Sequence, residues 1–232
     1  DMGPGGNFTL SSPGLATPLA GKSTSDEIFR PVYSSARVFK TTTWYTISVL
    51  PGSYCVRLHF FPSTYGNFSA NNSVFDVTAH DFKLASKFNV SEEIVWRNSA
   101  SNSVIKAVVK EYFLVVGSRG LQIEFDPSPG SFAFVNALEV MLTPDNLFND
   151  TVTKVGAAGG QLPLGLSDRG VETMYRLNIG GPALKSASDQ YLHRPWYTDE
   201  SFIFSANAAQ TVSNTSSIMY VSGNDSSIAP ID

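Results

Sequence analysis

Apolar side chains recur at alternate positions along much of the first 142 residues. In SYCVRLHFFP (53–62), Val56, Leu58 and Phe60 fall on one face of an extended chain, and Cys55, Arg57, His59 and Phe61 on the other. That period of two marks a strand. The same texture, β-branched and aromatic runs broken by short polar turns, fills SSARVFKTTTWYTISVL (34–50), SVFDVTAHDFKLA (73–85), KEYFLVVGS (110–118), LQIEFDP (121–127) and SFAFVNALEVML (131–142). In the last of these both alternate sets are largely apolar, which predicts a central strand buried on each side. Six or more strands with turn punctuation, and no ten-residue stretch of helical periodicity, predict an all-β sandwich of two antiparallel sheets.

The punctuation divides the chain. Residues 1–27, with GPGG, SSPG and AGKSTSDE, read as a loop holding at most one short strand. After Pro144 the alternation is lost, and TPDNLFNDTVTKVGAAGGQLPLGLSDRG has the Gly, Pro and Asn content of a linker. Strand chemistry resumes at ETMYRLNIGGPAL (172–184), where NIGGP runs into a turn that favours positive φ. The expected division is a first sandwich over 1–145, a linker over 146–170 and the N-terminal part of a second sandwich over 171–232. So short a segment cannot close a second sandwich, so Tyr175, Leu177 and Ile179 are expected to need cover from the first module or a partner.

The chemistry of the chain narrows its function. A net charge of −4 with scattered Lys and Arg lacks the basic stripe of a nucleic-acid surface; a mildly acidic surface favours a cationic partner. No run approaches the ~18 apolar residues of a membrane helix, and the sequence does not open on a charged-then-apolar leader, so any signal peptide or anchor of the parent protein is expected outside it. Asn-x-Ser/Thr occurs at Asn7, Asn67, Asn71, Asn89, Asn149, Asn214 and Asn224. Chance would give about three in a chain so rich in Ser and Thr, and the excess fits a secreted glycoprotein. Cys55 stands alone, either a thiol missing an outside partner or a small buried hydrophobe.

His59, His80 and His193 lie at no metal-ligand spacing and read as structural; no metal and no cofactor are expected. Nucleophile-elbow, phosphate-loop and Cys-His motifs are absent from the sequence. A glycosidase needs only two carboxylates ~5–10 Å apart, with Glu92, Glu93, Glu124, Asp126, Glu139, Asp199 and Glu200 as candidates, yet nothing in the sequence makes two converge. Aromatic residues carry more information, because sugars stack on them and interfaces concentrate Trp, Tyr and Arg. Trp44, Tyr65 and Trp96 are candidates for a sugar platform. HRPWYTDE (193–200) is a Pro-constrained loop presenting Arg194, Trp196, Tyr197 and Asp199, either as a contact surface or as local packing.

YSSARVF, YCVRLHFFP, VKEYFLVV, LQIEFDPSPGSFAFVNALEVMLTPDNLF and ETMYRLNIGGP together resemble the extracellular region of the FERONIA/THESEUS/ANXUR family of plant receptor-like kinases, from about Phe8 to Asp232. The resemblance implies tandem malectin-like antiparallel β-sandwiches, the second incomplete in this chain. It also implies a non-catalytic, wall-facing ectodomain, with the membrane anchor and the Ser/Thr kinase outside this sequence. Partners implied are a secreted cationic peptide of the rapid alkalinization factor type, a lipid-anchored LORELEI-like co-receptor, and pectin or another wall glycan. Peptide contacts in the family fall largely on the second module, which makes Arg194, Trp196, Tyr197 and Asp199 the ligand-binding candidates. Two departures stand out: no Cys-Gly-Ser strand precedes Asn7, with Cys55 also at a place where relatives often carry Trp, and SSIAPID at the end reads as the approach to the next strand of a second module that is expected to be mostly missing. The rival reading is a carbohydrate-binding module using Trp44, Tyr65 and Trp96, and a third is an adhesive module with no small ligand.

Overall fold

The computed structural model describes residues 8–11, 17–20, 30–100, 105–144, 147, 151–153, 160–163, 165, 169–189, 192–205 and 209–213. In chain order its first strands are β1 (Phe8–Ser11), β2 (Thr17–Ala20), β3 (Ser35–Phe39), β4 (Thr43–Ile47), β5 (Gly52–Phe60), β6 (Thr64–Tyr65), β7 (Phe68–Ser69), β8 (Phe75–Ala79) and β9 (Phe82–Phe88). They are followed by β10 (Val108–Val116), β11 (Leu121–Pro127), β12 (Ala133–Val135), β13 (Ala137–Leu142), β14 (Thr151–Thr153), β15 (Gln161–Pro163), β16 (Val171–Glu172), β17 (Leu177–Asn178) and β18 (Tyr197–Thr198). Two helices accompany them, α1 (Arg30–Tyr33) and α2 (Val90–Ala100). The chain divides into two units, Asp1–Val140 with Leu166–Glu172, and Met141–Gly165 with Thr173–Asp232.

In the first unit a five-stranded sheet, β1-β4-β11-β8-β9, and a four-stranded sheet, β13-β5-β10-β16, share one core, and a third sheet, β12-β3-β2, completes it. The pairings described are antiparallel. Alternation explains the packing: Val56, Leu58 and Phe60 of β5 meet Phe75 and Val77 of β8 and Leu121, Ile123 and Phe125 of β11, all fully buried. The Phe60 ring lies 5.1 Å from Phe88 and 5.9 Å from Phe75 and Phe134, in tilted or edge-on contacts. Full burial of each such side chain is worth ~1.5–3 kcal/mol. At the turn into β11, Gly120 has φ +75°, and a Cβ there would sit 2.9 Å from the Ile47 carbonyl oxygen, so only glycine fits.

Three local features depart from the sequence expectation. Residues 131–142 do not form one central strand. They make β12 and then β13, a sheet edge, because Asn136 breaks the run and bonds across the corner. Its Nδ2 donates to the Ser35 carbonyl and to the Tyr65 hydroxyl, both at 2.7 Å, while its Oδ1 accepts the Phe61 N–H at 2.7 Å. Burial on both faces holds for β12, whose Ala133, Phe134 and Val135 are all buried, and extends to β5, whose outer residues Cys55, Arg57 and His59 are buried as well as its inner ones.

The helix α2 was not expected. Only Val90 and Ile94 of its apolar residues pack against the core, while Val95 and Trp96 are exposed, so helical periodicity is faint. Its ends are nevertheless well signalled. Asn89 Oδ1 accepts the N–H groups of Ser91 (2.9 Å) and Glu92 (3.2 Å), acidic Glu92 and Glu93 occupy the first turn and Arg97 the last. The N-terminal region also holds two strands, β1 and β2, rather than one.

The second unit holds β14 paired with β15, and β17 running parallel to β18. Residues 171 and 172, placed by the sequence at the head of the second module, pair as β16 with Tyr112 and Phe113 of β10 in the first unit. The linker residues 151–153 and 161–163 are the strands β14 and β15. The expected positive-φ turn is present, with Gly180 at φ +70°.

Candidate functional site

The loop after residue 188 is built around one carboxylate. Asp189, almost fully buried, accepts the N–H of Leu192 (3.2 Å) and of Arg194 (3.3 Å), and pairs with the Arg194 guanidinium Nε. Arg194 is therefore a correction: its side chain is buried and its charge is directed at Asp189, so it shapes the loop from inside. From there the chain is locked by backbone bonds between Leu184 and Trp196 (2.9 and 3.0 Å) and from the Tyr197 N–H to the Arg176 carbonyl (2.9 Å). The Arg176 guanidinium lies 5.8 Å from the centre of the Trp196 ring, a cation–π contact. The indole Nε1–H of Trp196 is buried with no hydrogen-bond partner among the described residues.

Of the four loop candidates, Tyr197 alone is exposed, at 59%. Asp199 is half-buried and uses Oδ1 to accept the Gly180 N–H at 3.0 Å, which joins its loop to the glycine turn. The second unit also exposes Met174, Tyr175, Ile179, Phe202 and Phe204, with the Tyr175 and Phe202 rings in edge-on contact at 5.3 Å. Of the residues expected to need cover, Tyr175 and Ile179 are thus exposed and Leu177 is half-buried.

The proposed sugar platform is not assembled. Tyr65 is 0% exposed, its ring against Phe134 and its hydroxyl donating to the Phe61 carbonyl at 2.9 Å, so it offers no stacking face and is corrected to a core residue. Burial pushes its phenol up to about 12, opposed by the Asn136 hydrogen bond. Trp44 is half-buried on β4, and Trp96 is 50% exposed on α2. Of the sequons, Asn67 and Asn71 are exposed and Asn89 is buried; Asn7, Asn149, Asn214 and Asn224 lie outside the described residues. His59 and His80 each hold hydrogen bonds, and His80 Nε2 donates to the Gly120 carbonyl at 2.7 Å. Cys55 is a fully buried thiol.

A buried polar network on the outer face of β5 and β10 is absent from the sequence expectation. Arg57 Nε donates to Glu111 Oε2 at 2.7 Å and its Nη1 to Glu139 Oε2 at 3.3 Å, while His59 Nε2 meets Glu139 Oε1 at 2.5 Å. The His59 hydrogen bond holds the Glu139 carboxyl below its usual range, against the effect of burial and with help from Arg57. The signal that could have found this network is a charged residue inside each of two apolar strands, Arg57 and Glu111, which demands a partner of opposite sign. A cleft of about 360 Å³ is lined by Lys83 and Arg169, by Asp81 and Glu172, and by Phe82, Leu84, Tyr112 and Gly170. Two of its charges are already paired outside the lining, Lys83 with Asp76 and Glu172 with Lys110, both at 2.7 Å. Among the described residues no three His, Cys, Asp or Glu side chains converge as metal ligands, and no helix is long and apolar enough to cross a membrane.

The sequence profile of the malectin-like domain matches residues 13–230. The chain belongs to the malectin-like domain family. A probable receptor-like protein kinase of Arabidopsis thaliana is 39% identical over 237 residues, covering 100% of this malectin-like chain and 27% of that protein. The receptor-like protein kinase FERONIA of the same plant is 32% identical over 207 residues, covering 86% of this chain and 22% of its own length. The malectin-like chain thus spans about a quarter of the length of the curated relatives it matches. The ANXUR1 extracellular domain from Arabidopsis thaliana superposes with a TM-score of 0.80 at 31% identity, over 95% of this chain and 57% of that one. A structure of the plant peptide RALF23 in complex with FER and LLG2 matches with a TM-score of 0.71 at 27% identity, over 97% of this chain and 56% of that one. The antiparallel, strand-dominated fold is that of the FER and ANXUR malectin-like ectodomains.

Proposed function

We propose that this chain is part of the ligand-binding ectodomain of a plant receptor-like kinase, on the wall-facing side of the plasma membrane. It captures a secreted basic peptide of the rapid alkalinization factor type together with a lipid-anchored co-receptor, while the kinase lies outside this sequence. The observation that carries the reading is the likeness of 97% of the chain to the structure of RALF23 with FER and LLG2. A net charge of −4 suits a cationic ligand, and the exposed Tyr197 and Tyr175 of the second unit supply the rigid aromatic surface on which peptide binding depends. In this reading Tyr197 and Asp199 touch the peptide, and Arg194 and Trp196 hold the loop that carries them.

Calorimetric titration with a rapid alkalinization factor peptide, with and without co-receptor, tests the reading. Binding is expected, weaker than that of an ectodomain with both modules intact, and Tyr197→Ala should weaken it by about tenfold or more. Equal affinity for both forms sinks the idea that the second module carries the contacts. A carbohydrate reading retains Trp96 and part of Trp44 but has lost Tyr65. Heat from oligogalacturonides, with none from peptide, would install that reading instead.

A further inference from the structure

Of the three described sequons, those of Asn71 and Asn89 meet in space and that of Asn67 lies four residues before Asn71, yet their asparagines have different surroundings. Asn67 sits in the turn of the β6–β7 hairpin after Gly66, which has φ +59°; it is exposed and makes no side-chain hydrogen bond among the described residues. Asn71 is exposed in the short turn of helix Ala70–Asn72 that follows. Its Oδ1 accepts the Ser91 hydroxyl at 2.6 Å and its carbonyl accepts Asn89 Nδ2 at 3.2 Å, but its own Nδ2 donates to nothing among the described residues. Asn89 is the reverse case. It is 8% exposed, its Oδ1 caps α2 twice, and its Nδ2 is the atom bonded to Asn71.

N-glycosylation joins a sugar to Nδ2. The amide nitrogen attacks the first sugar carbon of a polyprenyl-diphosphate oligosaccharide, the N–C bond forms, the C–O bond to the diphosphate breaks, one amide proton leaves, and polyprenyl diphosphate departs. Transfer takes place on a chain still extended, so the burial of Ser73 afterwards does not matter. The fold acts afterwards, because a chain already carrying sugar at an Nδ2 that the finished structure encloses cannot close to that structure. At Asn67 and Asn71 the nitrogen donates to no protein group among the described residues, and the residue is exposed. At Asn89 the sugar would have to occupy the space of Asn71 and would pull out the oxygen that starts α2.

We propose that the hairpin end of the first unit is an N-glycan-bearing surface with sugar on Asn67 and Asn71, and that the folded, secreted protein carries no sugar on the neighbouring Asn89, because a sugar there would displace the cap of α2. Sequence alone makes the three sites equivalent; the fold separates them. Carbohydrate on two residues four apart covers that end, so macromolecular partners contact the chain elsewhere.

The full chain is secreted from insect cells, the folded monomer is collected, and glycans are released enzymatically in ¹⁸O water, which marks each formerly glycosylated asparagine. Trypsin places Asn67 and Asn71 together in residues 58–83 and Asn89 alone in residues 88–97. Two marks in the first peptide and none in the second are expected. A marked Asn89 in folded material, or an unmarked Asn67 or Asn71, overturns the proposal. Asn89→Asp keeps a capping oxygen and destroys the sequon, so secreted mass should fall by no glycan, whereas Asn67→Gln and Asn71→Gln should each remove one. Loss of a glycan with Asn89→Asp refutes the closed-site argument, and none of these readouts involves peptide binding.

Discussion

Glu111→Leu removes one half of a buried ion pair and leaves the other in place. Arg57 and Glu111 face each other across β5 and β10, their side chains are 7% and 8% exposed, and the guanidinium Nε lies 2.7 Å from the carboxylate. Once Glu111 is gone, Arg57 keeps Glu139 at 3.3 Å, a partner whose side chain is 37% exposed and which also serves His59. Breaking a buried pair costs ~3–5 kcal/mol, and the surviving contact with Glu139 sets the expectation at the low end, ~3 kcal/mol. For a protein of this size ~1 kcal/mol moves Tm by ~2–4 °C, so the variant should melt ~6–12 °C lower. The double variant Arg57→Met/Glu111→Leu buries no orphaned charge and should recover to within ~1 kcal/mol of the parent. Thermal unfolding followed by circular dichroism at neutral pH measures all three proteins. A single variant melting within ~2 °C of the parent, or a double variant no better than the single, would show that the pair does not carry this strand.

Tyr65→Phe deprives the Phe61 carbonyl and the Asn136 amide of a buried partner and should cost ~1–2 kcal/mol, read from the urea midpoint; an unchanged midpoint contradicts the corner role of Asn136. Gly120→Ala places a side chain at φ +75° against the Ile47 carbonyl and should lower stability by ~2 kcal/mol or more, whereas a neutral result would mean that this turn can shift. Glu139, through its His59 bond, and Glu93, through Arg97 and Lys110 acting against burial, have folded pKa values below the ordinary 4.5. Their contribution is therefore complete above the unfolded value and is lost as pH falls through the lower folded values, so Tm should drop below about pH 4.5. Glu139→Gln should flatten part of that slope, and a slope unchanged in the variant would contradict the assignment.

Strands such as β8 and β11 were legible because one face is apolar and the other is not, and the letters carry that alternation directly. The burial of β5 on both sides was not legible. The alternation places Arg57 and His59 on the face opposite Val56, Leu58 and Phe60, and what allows them inside is Glu111 and Glu139, 54 and 82 positions from Arg57 in sequence. The helix α2 was obscured for a different reason. Its caps are written plainly in Asn89, Glu92 and Arg97, but too few of its apolar residues face the core for the period to show. In the candidate site the letters found the loop and the aromatic Tyr197, yet could not tell an outward Tyr197 from an inward Arg194. That difference rests on Asp189, whose burial depends on the folded turn. Likewise, Tyr65 reads as a ring in a polar loop until the hydrogen bond from Asn136 closes over it.

The pairing of β16 with β10 bears on how the chain is made as well as on how it is arranged. The other strands of the first unit are complete once Val140 has been synthesised, apart from the end of β13, but the edge of β10 waits for Val171 and Glu172. At ~5–20 residues per second, the 32 residues from Met141 to Glu172 take roughly 2–6 s to appear. For that interval the growing chain carries an open strand edge at Tyr112 and Phe113, the kind of surface on which neighbouring chains pair. The order of synthesis therefore leaves this edge open while the first unit is nearly finished and its last rung has yet to leave the ribosome.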